Sequence, residues 1–119
     1  MSNDLFHSAG TAPRGLCQFP WGTSQALEES PRHCLVKVTI APGQGLPPHY
    51  HQHRSKRLLV LSGILHVDVD GQIHRLRSGE GLNVALEQVH ALNNPSVAPV
   101  QFYEVQSGDY FGAEDISYV

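Results

Sequence analysis

The chain reads as an all-β protein, a sandwich or barrel of short antiparallel strands, and three observations carry that reading. Apolar and polar residues alternate where the sequence is most ordered, with β-branched residues dominating residues 34–40. Turn signals of glycine, proline and Asp-Gly recur every eight to twelve residues or so. No stretch of about ten residues carries a 3.6-residue apolar stripe, and residues 24–30, the best helical candidate, are short and lack one. At 119 residues and 13.1 kDa the chain is expected to form one domain.

The elements follow in order. Residues 1–18 are polar at first and rich in Ser, Gly and Pro, and read as a loose N-terminal arm; the barrel domain is assigned to residues 19–119. In residues 34–40, Cys34, Val36, Val38 and Ile40 share one face of a strand. The prolines and glycines of residues 41–48 break any regular element. A short apolar run at 57–61 ends at Ser62-Gly63, and Leu65, Val67 and Val69 then share a face opposite His66 and Asp68. Asp70-Gly71 is a two-residue hairpin signal, because a type I′ turn needs positive φ at both central positions. Residues 72–77 form the return strand, and 82–86, 91–93 and 100–105 complete the series. The aromatics Phe19, Trp21, Phe102, Tyr103 and Phe111 read as core or interface, Tyr50 as outward-facing, and the acidic residues near Asp115 as a solvated turn.

Composition excludes several classes. Eight basic against eleven acidic residues leave a net charge of −3, which argues against a general nucleic-acid binder. No apolar run approaches the ~18 residues of a membrane span, and no export signal is visible, so no membrane partner is expected. Cys17 and Cys34 have no CxxC spacing and read as reduced thiols of a cytoplasmic protein.

Histidine is the anomalous residue, with eight in the chain. His49, His51 and His53 are spaced by two, so an extended backbone would turn all three imidazoles to one side. His90 follows a strand-like run, and two histidines on one strand with a third from a distant strand can hold a metal inside a barrel. His49, His51 and His90 are therefore the candidate metal ligands, with His53 a possible fourth. The same spacing also suits a surface tract. His7, His33, His66 and His74 carry no such pattern.

On these residues the chain resembles the cupin superfamily. Gly43, His49, His51 and Gly63 stand at the spacing of the first cupin motif, with Lys56 where that motif has glutamate. Gly79, His90 and Asn94 resemble the second motif, with Ala85 and Glu87 in place of its proline and second glycine. Pro20-Trp21-Gly22 and the tail from Glu104 to Ile116 are similar to the C-terminal cupin domain of type II mannose-6-phosphate isomerases. The resemblance implies a small antiparallel cupin β-barrel, a double-sheet jelly roll. It also implies a divalent transition metal (Zn, Fe, Ni or Mn) inside the barrel and a homodimer paired near Phe19 to Trp21.

The departures shape the functional reading. Lys56 brings a positive charge to a ligand position: it either points inward beside a metal, turns outward to join Arg54 and Arg57 as a basic patch, or occupies the metal site itself. That family continues beyond the position of Ile116 with an arginine-bearing tail and carries a pyrophosphorylase domain; neither is found here, so nucleotidyl transfer is not expected. Three functions are compatible with these residues. One is a metal-dependent sugar-phosphate isomerase-like enzyme, with His53, Glu80 or Glu87 as base and Arg54, Lys56 or Arg57 on the phosphate. The second is a three-histidine, iron-dependent dioxygenase. The third is a non-catalytic module binding a small molecule. Among catalytic residues only His53, Lys56 and Glu87 stand out, and none has an assigned role.

Overall fold

A computed structural model describes residues 15–119 of the chain. Residues 1–14, most of the arm read from the sequence, lie outside the described residues. The described residues form eleven strands: β1 (Leu16–Phe19), β2 (Gly22–Glu29), β3 (His33–Ile40), β4 (Gly45–Tyr50), β5 (Arg54–Ser62), β6 (Leu65–Val69), β7 (Gln72–Leu76), β8 (Gly81–Val84), β9 (His90–Asn93), β10 (Val100–Gly108) and β11 (Ser117–Tyr118). Leu16, Cys17 and Gln18, grouped with the arm in the sequence reading, are already strand, paired with Gln25, Ser24 and Thr23.

The strands make two antiparallel sheets, a larger one in the order β1-β2-β3-β10-β5-β8 and a smaller one in the order β11-β4-β9-β6-β7. Period-2 alternation fills the space between them. Cys34, Val36, Val38 and Ile40 of β3 are buried, as are Leu58 and Val60 of β5, Leu65 and Val67 of β6, and Val100 and Phe102 of β10. Each fully buried Leu, Ile or Phe of this set contributes about 1.5–3 kcal/mol relative to exposure.

Two local details decide where the site sits. The Asp70-Gly71 turn has φ of 51° and 87°, the double positive φ that a type I′ hairpin requires, and Asp68 Oδ1 accepts the Gly71 N–H at 2.9 Å. In contrast, the proline-rich stretch does not break the structure: β4 runs through Pro47 and Pro48. Its ladder with β9 is irregular between Leu46 and His49, where the two prolines have no N–H to give. That irregularity leaves His49 directly opposite His90. Asn94 of the second motif is buried and ties the following loop, its Nδ2 donating to the carbonyls of Ile40 (3.0 Å) and Ala98 (2.8 Å).

Candidate metal centre and its cavity

The three histidines come from the smaller sheet. His49 lies in β4, His51 one residue beyond its end and His90 at the start of β9. All three are buried, and one ring nitrogen from each lies within 4.8 Å of the others. The extended parity that turns His49 and His51 inward ends there. The chain bends at Gln52 and His53, so His53 faces out with a half-exposed side chain 3.5 Å from Asp109 Oδ1. His53 does not join the cluster as a fourth ligand.

Each imidazole is oriented by its backbone. His49 Nδ1 donates to the Pro47 carbonyl at 2.7 Å, His51 Nδ1 to the Asp115 carbonyl at 2.6 Å, and His90 Nδ1 to the Gln88 carbonyl at 2.9 Å. A carbonyl oxygen only accepts, so Nδ1 carries the proton and Nε2 the lone pair in all three. The buried Nε2 atoms of His51 and His90 have no hydrogen-bond partner among the described residues. Burial, followed by the nearby Lys56 charge, pushes the histidines down to about 3 (His49), about 4 (His51) and about 2 (His90), so all are neutral at pH 7. Neutral, tautomer-locked imidazoles converging through Nε2 are what a transition-metal ligand set requires. His49, His51 and His90 could hold a metal ion.

The larger sheet faces them with charge. Lys56 of β5 points inward and is buried, its Nζ 3.5 Å from Oε2 of the equally buried Glu104 on β10. Gln106 Nε2 donates to the other Glu104 oxygen at 2.9 Å. The β5–β10 register explains the contact: Lys56 opposes Gln106 and Leu58 opposes Glu104, so the ion pair is a same-face diagonal. Burial lowers the lysine below its ordinary value. It works to raise Glu104, but the Lys56 charge and the Gln106 hydrogen bond outweigh it and hold that carboxylate low.

The outward basic patch is therefore corrected. Lys56 and Arg54 are inside, and only Arg57 is exposed, bonded to Asn83 Oδ1 at 2.9 Å. Arg54 ties down the C-terminal segment. Its Nε lies 3.4 Å from Asp115 Oδ2, and its terminal nitrogens donate to the Gly112 carbonyl (2.6 Å), Gln106 Oε1 (3.2 Å) and the Phe111 carbonyl (3.4 Å). Asp115 is likewise no solvated turn residue. It is buried, and its carboxylate accepts the N–H groups of Gln52 (2.9 Å) and His53 (3.1 Å) while its carbonyl holds His51. β11 then pairs Tyr118 with His49.

Glu87 is also placed away from the chemistry. It is exposed at a turn with φ of 61°, and it reaches the site only through its N–H, which donates to the His51 carbonyl at 2.8 Å. Glu80 is exposed and caps the Arg77 N–H at 2.7 Å. Of the residues singled out for catalysis, only Lys56 faces the interior. Glu104 and Asp115 are the site residues that sequence reasoning missed. Glu104 was visible in the alternation Val100-x-Phe102-x-Glu104, which aims it inward; Asp115 lies in an irregular segment where no periodicity speaks.

Beside the cluster lies a cavity of about 230 Å³. His51, Lys56, Glu104 and Gln106 form its polar side, and Trp21, Val36, Val38, Leu92 and Phe111 are among its apolar walls. The ring of Trp21 stacks on Phe19 with centroids 4.9 Å apart, and Trp21 is buried within its own chain. Both cysteines are free thiols that line the same cavity.

The family model described as mannose-6-phosphate isomerase C-terminal matches residues 14–119. The chain belongs to this family. Among curated relatives, mannose-1-phosphate guanylyltransferase 2 of Escherichia coli O157:H7 is 34% identical over 97 residues, which are 82% of this chain and 20% of the relative. The chain thus spans about a fifth of the length of the curated relatives it matches. Two solved structures share the fold. The double-stranded β-helix protein of Klebsiella pneumoniae superposes with a TM-score of 0.70 at 20% identity, covering 93% of this chain and 84% of its own. The sugar phosphate isomerase of the cupin superfamily from Silicibacter pomeroyi superposes with a TM-score of 0.65 at 23% identity, covering 73% and 59%. The two-sheet barrel is a cupin fold, as its motifs imply. Among the described residues no helix is long and apolar enough to cross a membrane.

Proposed function

We propose that this chain is a metal-binding cupin domain that holds a divalent transition ion on His49, His51 and His90 and takes a small molecule in the adjoining cavity. The observation that carries this is the common setting of the three imidazoles, each with Nδ1 on a backbone carbonyl. Such second contacts fix ring orientation and raise ligand basicity. They leave the buried Nε2 atoms of His51 and His90 without a partner among the described residues, which a cluster kept for packing alone would not favour. When bound, the ion would supply a Lewis-acid charge beside the cavity.

Within that frame a binding role is favoured over sugar-phosphate isomerisation. Arg54 and Lys56, the interior cations, are each already paired with a carboxylate, Asp115 and Glu104, and Arg57 lies outside the barrel. Among the described residues the cavity thereby offers no unpaired cation to neutralise a doubly charged phosphate, only the spare N–H donors of Lys56. None of the proposed bases His53, Glu80 and Glu87 lines it either. The iron-dependent dioxygenase reading needs neither and stays the second choice.

Elemental analysis of untagged wild type and His51→Ala tests the reading. One equivalent of zinc, iron, nickel or manganese in the wild type, lost in the variant, is expected. A wild type that takes up none of these, even after dialysis against Zn²⁺ or Fe²⁺, overturns it.

A further inference from the structure

Lys56 is a buried ammonium with three N–H donors, and among the described residues it has one long hydrogen bond, 3.5 Å to Glu104. A buried charge is expected to be both paired and fully hydrogen-bonded, so donor capacity remains on the polar side of the cavity. Lys56 and His51 both line the cavity, and the Lys56 charge acts on the His51 ring.

The charge count points the same way. Three neutral imidazoles and a Lys56–Glu104 pair bring no net charge to the centre. A glutamate at position 56, as in the cupin motif, would shift that balance by two units toward negative. An ion held by this chain therefore keeps its full positive charge, and the side chains around it leave an anion to be supplied from outside. Apart from Glu29, exposed at the end of β2, and the Lys56, Glu104, Gln106 and Arg54 side chains already described, the walls are mostly apolar. Trp21, Val36, Val38 and Phe111 suit a hydrocarbon body better than a polyhydroxylated one.

We propose that the cavity takes a small carboxylate with an apolar body, its anionic end on Lys56 at the His51 side and its body against Trp21, Val38 and Phe111. This rests on the metal-binding reading above and deepens it by naming the ligand class. Lys56 is then an anion-holding residue, a role created by the substitution that separates this chain from the motif.

Isothermal titration of benzoate into the zinc-loaded protein tests it, with benzamide as the uncharged isostere and inorganic phosphate as the competing anion. Benzoate binding is expected to weaken about tenfold or more in Lys56→Met, the size of one charged hydrogen bond. Benzamide and phosphate should bind more weakly than benzoate. Because Lys56→Met leaves Glu104 buried without its partner, the double variant Lys56→Met/Glu104→Gln provides a neutral pair; it should keep zinc and still lose benzoate. Equal benzoate affinity in wild type and either variant, no benzoate binding, or benzamide or phosphate binding as tightly as benzoate would overturn the proposal. Failure of zinc to bind the wild type refutes the metal reading instead. Titration of the metal-free protein would then be decisive, since Lys56 dependence is required there too.

Discussion

Asp115→Ala is the perturbation that separates a structured C-terminal segment from a decorative one. In the folded chain this carboxylate accepts two backbone N–H groups, from Gln52 at 2.9 Å and His53 at 3.1 Å, and faces the Arg54 guanidinium at 3.4 Å. Hydrogen bonds to charged groups contribute about 1.5–3 kcal/mol each, but three on one residue do not add. Removing one partner of a buried ion pair costs about 3–5 kcal/mol, because the other charge is left buried. Taking about 4 kcal/mol, and about 4 °C per kcal/mol for a domain of this size, the melting temperature should fall by about 15 °C. The same residue's carbonyl orients His51, so zinc affinity should drop about 10–100-fold as the segment loosens. Calorimetry of the metal-free variant gives the first number, and competition with a chromophoric chelator gives the second. A fall of less than about 4 °C would refute the idea that Asp115 clamps the segment. Unchanged zinc affinity beside a large fall would refute its link to the metal site. Burial works to raise the Asp115 pKa, but the two N–H groups and Arg54 outweigh it, so the clamp is complete above the unfolded aspartate value of about 3.9 and is lost as pH falls below it.

Three further outcomes follow from the geometry. His49, His51 and His90 are held neutral in the folded state at about 3, about 4 and about 2, so the unfolded chain gains their protons first. Stability of the metal-free protein should be full above pH 7 and fall by about 4 kcal/mol on going to pH 5.5, roughly 1.4 for each histidine; a flat urea midpoint between pH 7.5 and 5.5 would contradict this. Lys56→Glu should bind zinc about tenfold or more tightly, through the added carboxylate, while its metal-free form melts lower because two buried carboxylates now meet. Lower zinc affinity would show that Lys56 does not face the ion site. Glu87→Gly should stabilise by about 1 kcal/mol, since the residue sits at φ 61° where the cupin motif has glycine. A neutral or destabilising result by urea denaturation would mean that the Glu87 side chain makes a compensating contact.

Much of this was legible in the chain itself. Alternation alone determined the inward faces of β3 and β6, because a strand with one face buried must repeat every second residue. Asp70-Gly71 determined its hairpin, since few dipeptides accept two positive φ values. The spacing of His49 and His51 already pointed to two imidazoles on one side, because β4 stays extended just long enough to turn both inward, where His90 meets them.

Tertiary structure decided the rest, and in each case the deciding partner lies far along the chain. β4 forms across two prolines because β9 and β11 supply its pairing, which local propensity does not anticipate. His53 leaves the cluster because the chain bends after His51, a bend held by Asp115 more than sixty residues away. The direction of Lys56 was open among three choices until β10 brought Glu104 beside it. The alternation of β10 aims Glu104 inward but does not say what it meets. A buried ammonium is tolerable only where a carboxylate is also buried, and which strand provides that carboxylate is a property of sheet order.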